Sequence, residues 1–364
     1  MGLGTSFECT RGRASPRACP RAVSWAWALE YDARPQSCGF IRTMQRRQLF
    51  LTLALCATTL PALAQTWPTR PVKIVVPTGP GSSLDLIARS MSERLAARWA
   101  QPVVVENKPG AGGMLGMDVA AKANDGHTLA VGFNGPIAFG PFLYRKMPYD
   151  PAKDLVAVIM TTSQPNVLAV NADKVPAKSV AEFVAWAKAQ GGRVNYSSLG
   201  NGSSAHLTME LFMSEAGFAA THVPFNGSPP AAMALAQGEV DATFMVAPAL
   251  LPHVRNNKAR MLAVSSTTRP DSLKDLPALS GSGYANVESL AWNGLFMAAG
   301  TPDAVVQKVN TDANAVLAEP AVRQALDAQG LTVVGGSAAD FKRQIDADVK
   351  RWGPVITRLG IKLD

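Results

Sequence analysis

Two glycine- and hydroxyl-rich loops carry the residue types that could do chemistry in this chain. The first, Pro77-Thr78-Gly79-Pro80-Gly81-Ser82-Ser83, follows the β-branched run Val72 to Val76 and precedes a helical segment that begins with Asp85. The second, Gly200-Asn201-Gly202-Ser203-Ser204, follows the run Val194 to Ser197 and opens another helical segment. Small residues let a backbone approach a ligand, and hydroxyls with free N–H groups at a helix N-terminus favour an anion such as a carboxylate. Either loop alone reads slightly better as a tight turn with a serine cap. Two of them in separate parts of one chain point to a cleft with one loop on each side.

Covalent and metal chemistry find little support. His127, His206, His222 and His253 include no pair at i, i+3 or i, i+4, so a metal would need ligands gathered from distant segments. The chain has neither a G-x-S-x-G elbow nor a G-x-x-x-x-G-K-[ST] phosphate loop. Gly110 to Gly116 approaches a dinucleotide fingerprint, but its last glycine falls one residue late, and a plain loop is the better reading. No catalytic residue, metal or cofactor is expected.

The elements that must position the loops alternate in kind. Short β-branched runs at Val72–Val76, Val103–Val105, Thr128–Gly132, Val167–Val170, Val194–Ser197, Ala242–Met245 and Met261–Val264 read as strands. Between them lie helical segments from about Asp85 to Trp99, with Leu86, Met91, Leu95 and Trp99 at near-helical spacing, and near Met114 to Ala123 and Ser204 to Ala216. Ser179 with Glu182 forms a capping box, Thr301-Pro302 pairs an N-cap with a proline at the first helical position, and a last helix runs from about Ala338 to Leu359. This alternation predicts an α/β fold with largely parallel sheets, in which ligands sit at the carboxyl ends of strands.

The first 64 residues stand apart. Arg46 and Arg47, the apolar run Leu49 to Leu60 and the small-x-small site Ala62-Leu63-Ala64 have the order of a secretory signal. The run is shorter than the ~20 residues that span a bilayer. A signal peptide at 44–64, cleaved near Ala64, is expected, with 1–43 an upstream extension ahead of a true start at Met44. The arginine pair also permits twin-arginine export. All four cysteines (Cys9, Cys19, Cys38, Cys56) lie in this segment, so the chain from Gln65 onward needs no disulfide. The segment also holds eight Arg against three acids, so the net charge of +8 falls to +3 over the other 300 residues. That balance leaves no footprint for nucleic acid or a membrane surface, and the length suits two domains.

Longer stretches then resemble one family. PVKIVVPTGPGSSLDLIAR at 71–89, VENKPGAGGMLG at 105–116 and DGHTL at 125–129 are followed by NYSSLGNGSSAHLTMELF at 195–212. VPFNGSPPAAMALAQGEVDATF at 223–244 and WNGLFMAAGTP at 292–302 complete the set. In order and spacing these resemble the Bug-type solute-binding proteins, the extracytoplasmic receptors of tripartite tricarboxylate transporters. The resemblance implies a two-lobed periplasmic-binding-protein fold (type II) with two chain crossovers, one lobe at 65–165 plus 290–364 and the other at 166–289. It also implies a monomer in the periplasm that captures a small organic acid between the lobes and passes it to membrane subunits of a tripartite transporter.

Carried over, the family's site falls on Ser83 and Asp85, on Ser197, Ser198, Gly202, Ser203 and His206, and on Asn226 and Gly227. Thr78, Gly79 and Ser82 complete the first loop. The family's first loop usually reads V-P-F-A-P-G-G-S-T-D; here Thr78 replaces an aromatic residue, Ser82 a glycine and Leu84 a threonine. Met245 stands where an acid often follows Phe244, and Gly140 where an asparagine is usual. An apolar Met245 in the cleft predicts a ligand without an ammonium group. Two other classes stay open: a receptor that signals to a sensor kinase, and an envelope enzyme acting on a carboxylate.

Overall fold

Two mixed sheets, not largely parallel ones, organise the molecule. The computed structural model describes residues 67–363, so the expected signal peptide and upstream extension lie outside the described residues. The first sheet comprises β1 (Val72–Val76), β2 (Val103–Asn107), β3 (Thr128–Phe133), β4 (Leu155–Pro165), β10 (Leu290–Ala298) and β11 (Thr332–Val333). Across the sheet these strands run in the order β11-β4-β10-β3-β1-β2. The second comprises β5 (Val167–Asn171), β6 (Val194–Ser198), β7 (Ala220–Pro224), β8 (Ala242–Met245) and β9 (Ala259–Val264), in the order β7-β6-β8-β5-β9. In each sheet a parallel group (β2-β1-β3 and β7-β6-β8) is extended by antiparallel strands.

The local chemistry explains the elements that place the loops. Val72, Ile74, Val75 and Val76 are buried, as expected of a strand hydrogen-bonded on both edges and covered on both faces. The following helix, Ser83–Trp99, starts where the Ser82 hydroxyl accepts from the Asp85 amide and stops at Ala100 in the left-handed region. It turns Leu84, Ile87, Ala88, Met91 and Leu95 inward, whereas Leu86 is only half-buried. At Ser179 the capping is half of the expected box: its hydroxyl accepts from Glu182, but the Glu182 carboxylate turns to the Lys178 amide. The last helix, Ala338–Leu359, carries a full box between Ser337 and Asp340.

The chain passes between the sheets twice, after Pro165 and before Leu290, and a buried polar network ties the two passages together. The Asn166 amide donates to the hydroxyls of Thr208 and Ser289, and its backbone N–H to the Ser265 hydroxyl. Ser265 Oγ in turn donates to the Ser289 carbonyl. Among the described residues no helix is long and apolar enough to cross a membrane.

Candidate functional site

Four loops meet where the two sheets face each other, and each follows the carboxyl end of a parallel strand. From the first sheet come 77–82 after β1 and 108–113 after β2; from the second come 199–203 after β6 and 225–227 after β7. Each leads into a helix: Ser83–Trp99, Met114–Ala121 by way of a short 3-10 turn, Ser204–Ala216 and Ser228–Gln237. Helix N-termini, the ends whose dipoles favour an anion, thereby converge on one space.

The loops are closed on one another backbone to backbone. A methyl group on Gly112 would fall 2.4 Å from the Asn201 carbonyl oxygen, and one on Gly200 would touch the Gly112 Cα at 3.4 Å. Likewise a methyl on Gly79 would lie 3.3 Å from the Asn226 carbonyl oxygen, and one on Gly227 3.3 Å from the Gly79 nitrogen. The space left between them is a cavity of about 180 Å³ lined by Ala111, Gly112, Tyr144, Gly200, Asn201, Pro224, Phe225 and Asn226. That is the volume of about six waters, the size class of a small organic molecule. None of these lining residues is charged.

Of the thirteen residues expected at the site, Asn226 lines this cavity, while Gly79 and Gly227 make close backbone approaches. Gly202 faces Leu143 and Leu363 of the opposite wall. Most of the others support the loops. Thr78 and Ser82 are buried and share a hydroxyl hydrogen bond of 2.6 Å. Ser83 is buried as the first residue of its helix. Ser197 donates to the Ala231 carbonyl, and Ser203 donates to the Gly200 carbonyl while accepting from the His206 amide. Ser198 accepts from Gly200 N–H and lies 2.7 Å from His222 Nε2. His206 turns away from the cavity and accepts the Gly202 N–H at Nδ1, 3.2 Å away.

Asp85 is also a support. Its carboxylate accepts from Gly81 N–H, from Arg89 and from Asn107, and Asn107 in turn donates to the Thr78 carbonyl, so one carboxylate braces both first-sheet loops. Burial pushes this carboxyl up, but the bonds from Arg89, Gly81 and Asn107 prevail and hold it below the usual range. Met245 requires a correction. Its side chain is fully buried in the apolar cluster with Val167, Leu235 and Val264, on the core face of β8, and does not line the cavity. The alternation of side chains along a strand puts it there.

Sequence reasoning placed Gly200 and Asn201 in a binding loop but missed Ala111, Gly112, Tyr144, Pro224 and Phe225. The glycine cluster at 110–116 was the available signal, since Gly110, Gly112 and Gly113 all have positive φ and let the loop press against the other wall. It also missed that His206 and His222 meet. Among the described residues no three His, Cys, Asp or Glu side chains converge as metal ligands.

Residues 87–361 match the family described as tripartite tricarboxylate transporter family receptor. The chain is 35% identical to protein BugT of Bordetella pertussis over 313 residues, 85% of this chain and 96% of that protein. It is similar to an R. palustris protein solved with adipate, at TM-score 0.78 and 34% identity, over 82% of this chain and all of the other. It is similar also to MatC of Rhodopseudomonas palustris with bound malate, at TM-score 0.75 and 30% identity, over 80% of this chain and all of the other.

Proposed function

The chain belongs to the tripartite tricarboxylate transporter family of receptors, and from that premise we propose that it captures a small carboxylate in the cavity between its lobes. The observation that carries this reading is the lining. Backbone of four loops, the Tyr144 phenol and the amides of Asn201 and Asn226 surround the cavity, with no charged side chain among them. Neutral donors of this kind suit an anion, which can be held by N–H and O–H groups without a paired cation. A ligand ammonium would need a carboxylate, and Asp85, beside the first loop, is already spent on Gly81, Arg89 and Asn107. The ligand is therefore a plain carboxylic acid, and the neutral lining supports this where Met245 does not. Two relatives solved with adipate and malate indicate where to begin.

In this reading 65–165 plus 290–364 and 166–289 are the lobes that close on the acid in the periplasm. The closed form then delivers it to the membrane subunits of a transporter. The test is a titration, after unfolding and refolding to remove carried ligand, against adipate, malate, tricarboxylates, benzoate, glutamate and aspartate. Saturable binding of a plain acid without turnover is expected. Tight binding of an amino acid with the plain acids silent, or chemical conversion of a bound acid, overturns the reading.

A further inference from the structure

Behind the 199–203 loop lies a cluster of titratable groups that solute capture itself does not use, with Tyr196 and His206 buried and His222 and Glu210 half-buried. Tyr196 and His222 are opposite each other in the β6–β7 register, and Ser198, two residues on, shares the Tyr196 face of β6. The helix Ser204–Ala216 carries His206 and Glu210 one turn apart. The two imidazoles stack with centroids 4.0 Å apart and planes 11° from parallel, and the Tyr196 ring lies 4.9 Å from His222. Tyr196 Oη donates to Glu210 Oε1, and His206 Nε2 stands 3.7 Å from the same oxygen. Among the described residues, Tyr196 on β6 and Glu210 on the helix are the titratable groups in contact with the imidazole pair.

The donors fix where the protons sit. Gly202 N–H can only donate, so His206 Nδ1 must present a lone pair, and the ring proton belongs on Nε2, toward Glu210. His222 Nε2 meets Ser198 Oγ, which accepts the Gly200 N–H at 3.1 Å. Each ring therefore supports one glycine of the loop, His206 directly and His222 through Ser198. Charge on either ring is disfavoured. Burial, and for His206 also the neighbouring His222, push them down to about 3 for His206 and about 4 for His222. Burial likewise pushes the Glu210 carboxyl up.

We propose that the His206–His222 stack is a positioning device for the cleft: as a neutral pair it holds the 199–203 loop in its ligand-facing shape, and protonating His206 at Nδ1 releases the Gly202 amide. The inference takes the inter-lobe cavity as the binding site, and it adds an acid-sensitive latch to one wall. A proton on Nδ1 would face the Gly202 N–H donor to donor, so the bond cannot survive it.

The test needs no ligand, so it fails or succeeds independently of which acid binds. Ring-nitrogen NMR on the whole protein is expected to show His206 protonated on Nε2 alone from pH 8 to pH 5. Amide exchange, corrected for intrinsic rate, is expected to show Gly202 protected over that range. His206→Asn places an amide oxygen near the Nδ1 position and is expected to keep that protection. His206→Leu fills similar space without an acceptor and is expected to lose it about tenfold at Gly202, with the later turns of Ser204–Ala216 unchanged. An ordinary core-filling histidine would show no difference between Asn and Leu, and that result overturns the proposal. So does an Nδ1-protonated tautomer in the parent protein, which remains measurable if the Leu variant fails to fold.

Discussion

A single methyl group on Gly112 separates closing from folding. Gly112 has φ +63° and Gly191 φ +59°, so alanine at either position incurs the same left-handed backbone cost of about 1–2 kcal/mol. At about 2–4 °C per kcal/mol for a chain of this size, each variant should melt a few degrees below the parent. The surroundings differ. Nothing lies within 4 Å of the Gly191 position, whereas the Gly112 methyl would stand 2.4 Å from the Asn201 carbonyl oxygen on the opposite wall. With the acid held between shut loops, as proposed, that second cost falls on the ligand-bound form. Overpacking of this kind costs about 1–3 kcal/mol, which weakens binding by roughly 5- to 150-fold. Calorimetric titration of the identified acid against the parent, Gly112→Ala and Gly191→Ala reads it directly. Loss of affinity in Gly112→Ala with parental affinity in Gly191→Ala is expected. Equal affinities in all three would refute the closed-loop geometry as the binding state.

Asp85→Ala should strip the first-sheet loops of their brace, costing about 1.5–3 kcal/mol in urea unfolding and most of the ligand affinity, with Asp85→Asn intermediate in both. Because the Asp85 carboxyl is held below its ordinary value of 3.8, its contribution is present above that pH and fades as pH falls through the lower folded value. Asp348 behaves oppositely. Burial, opposed by the hydrogen bond from Trp292 Nε1 at 2.7 Å, pushes its carboxyl up from 3.8 to about 6. Its contribution is therefore fully present below about pH 3.8 and lost as pH rises through about 6, a swing of about 3 kcal/mol. Asp348→Asn should remove that swing, which denaturant midpoints compared between pH 4 and pH 8 will show.

The sequence was most legible where local chemistry decides the outcome. The last helix spans the expected 338–359 because Ser337 and Asp340 cap its start and Gly360 adopts the left-handed turn that ends it. Strands β4 and β10 were not placed. Their pairing joins residues more than a hundred positions apart, and a run such as Leu290–Ala298, apolar apart from Asn293 and Gly294, carries no period that distinguishes strand from buried helix. At the site, residue type located the loops but not the direction of each polar group. Ser197 and Ser203 have the hydroxyls an anion site wants, yet Ser197 donates to the Ala231 carbonyl in the helix Ser228–Gln237 and Ser203 to the Gly200 carbonyl of its own loop. Met245 ends a strand buried on both faces, a placement set by the surrounding layers and not by residue type.

The place of β10 also sets an order in time. It lies between β3 and β4 at the middle of the first sheet, although it comes after every strand of the second. A chain emerging from its N-terminus can complete the second sheet as soon as β9 is available, because all five of its strands are contiguous in sequence. The first sheet must wait, with the inner edges of β3 and β4 unpaired, until residues 290–298 arrive. Exposed edges of that kind invite mispairing. The half of the molecule that begins first is thus the half that finishes last, and its vulnerable interval lasts as long as the whole second sheet takes to appear.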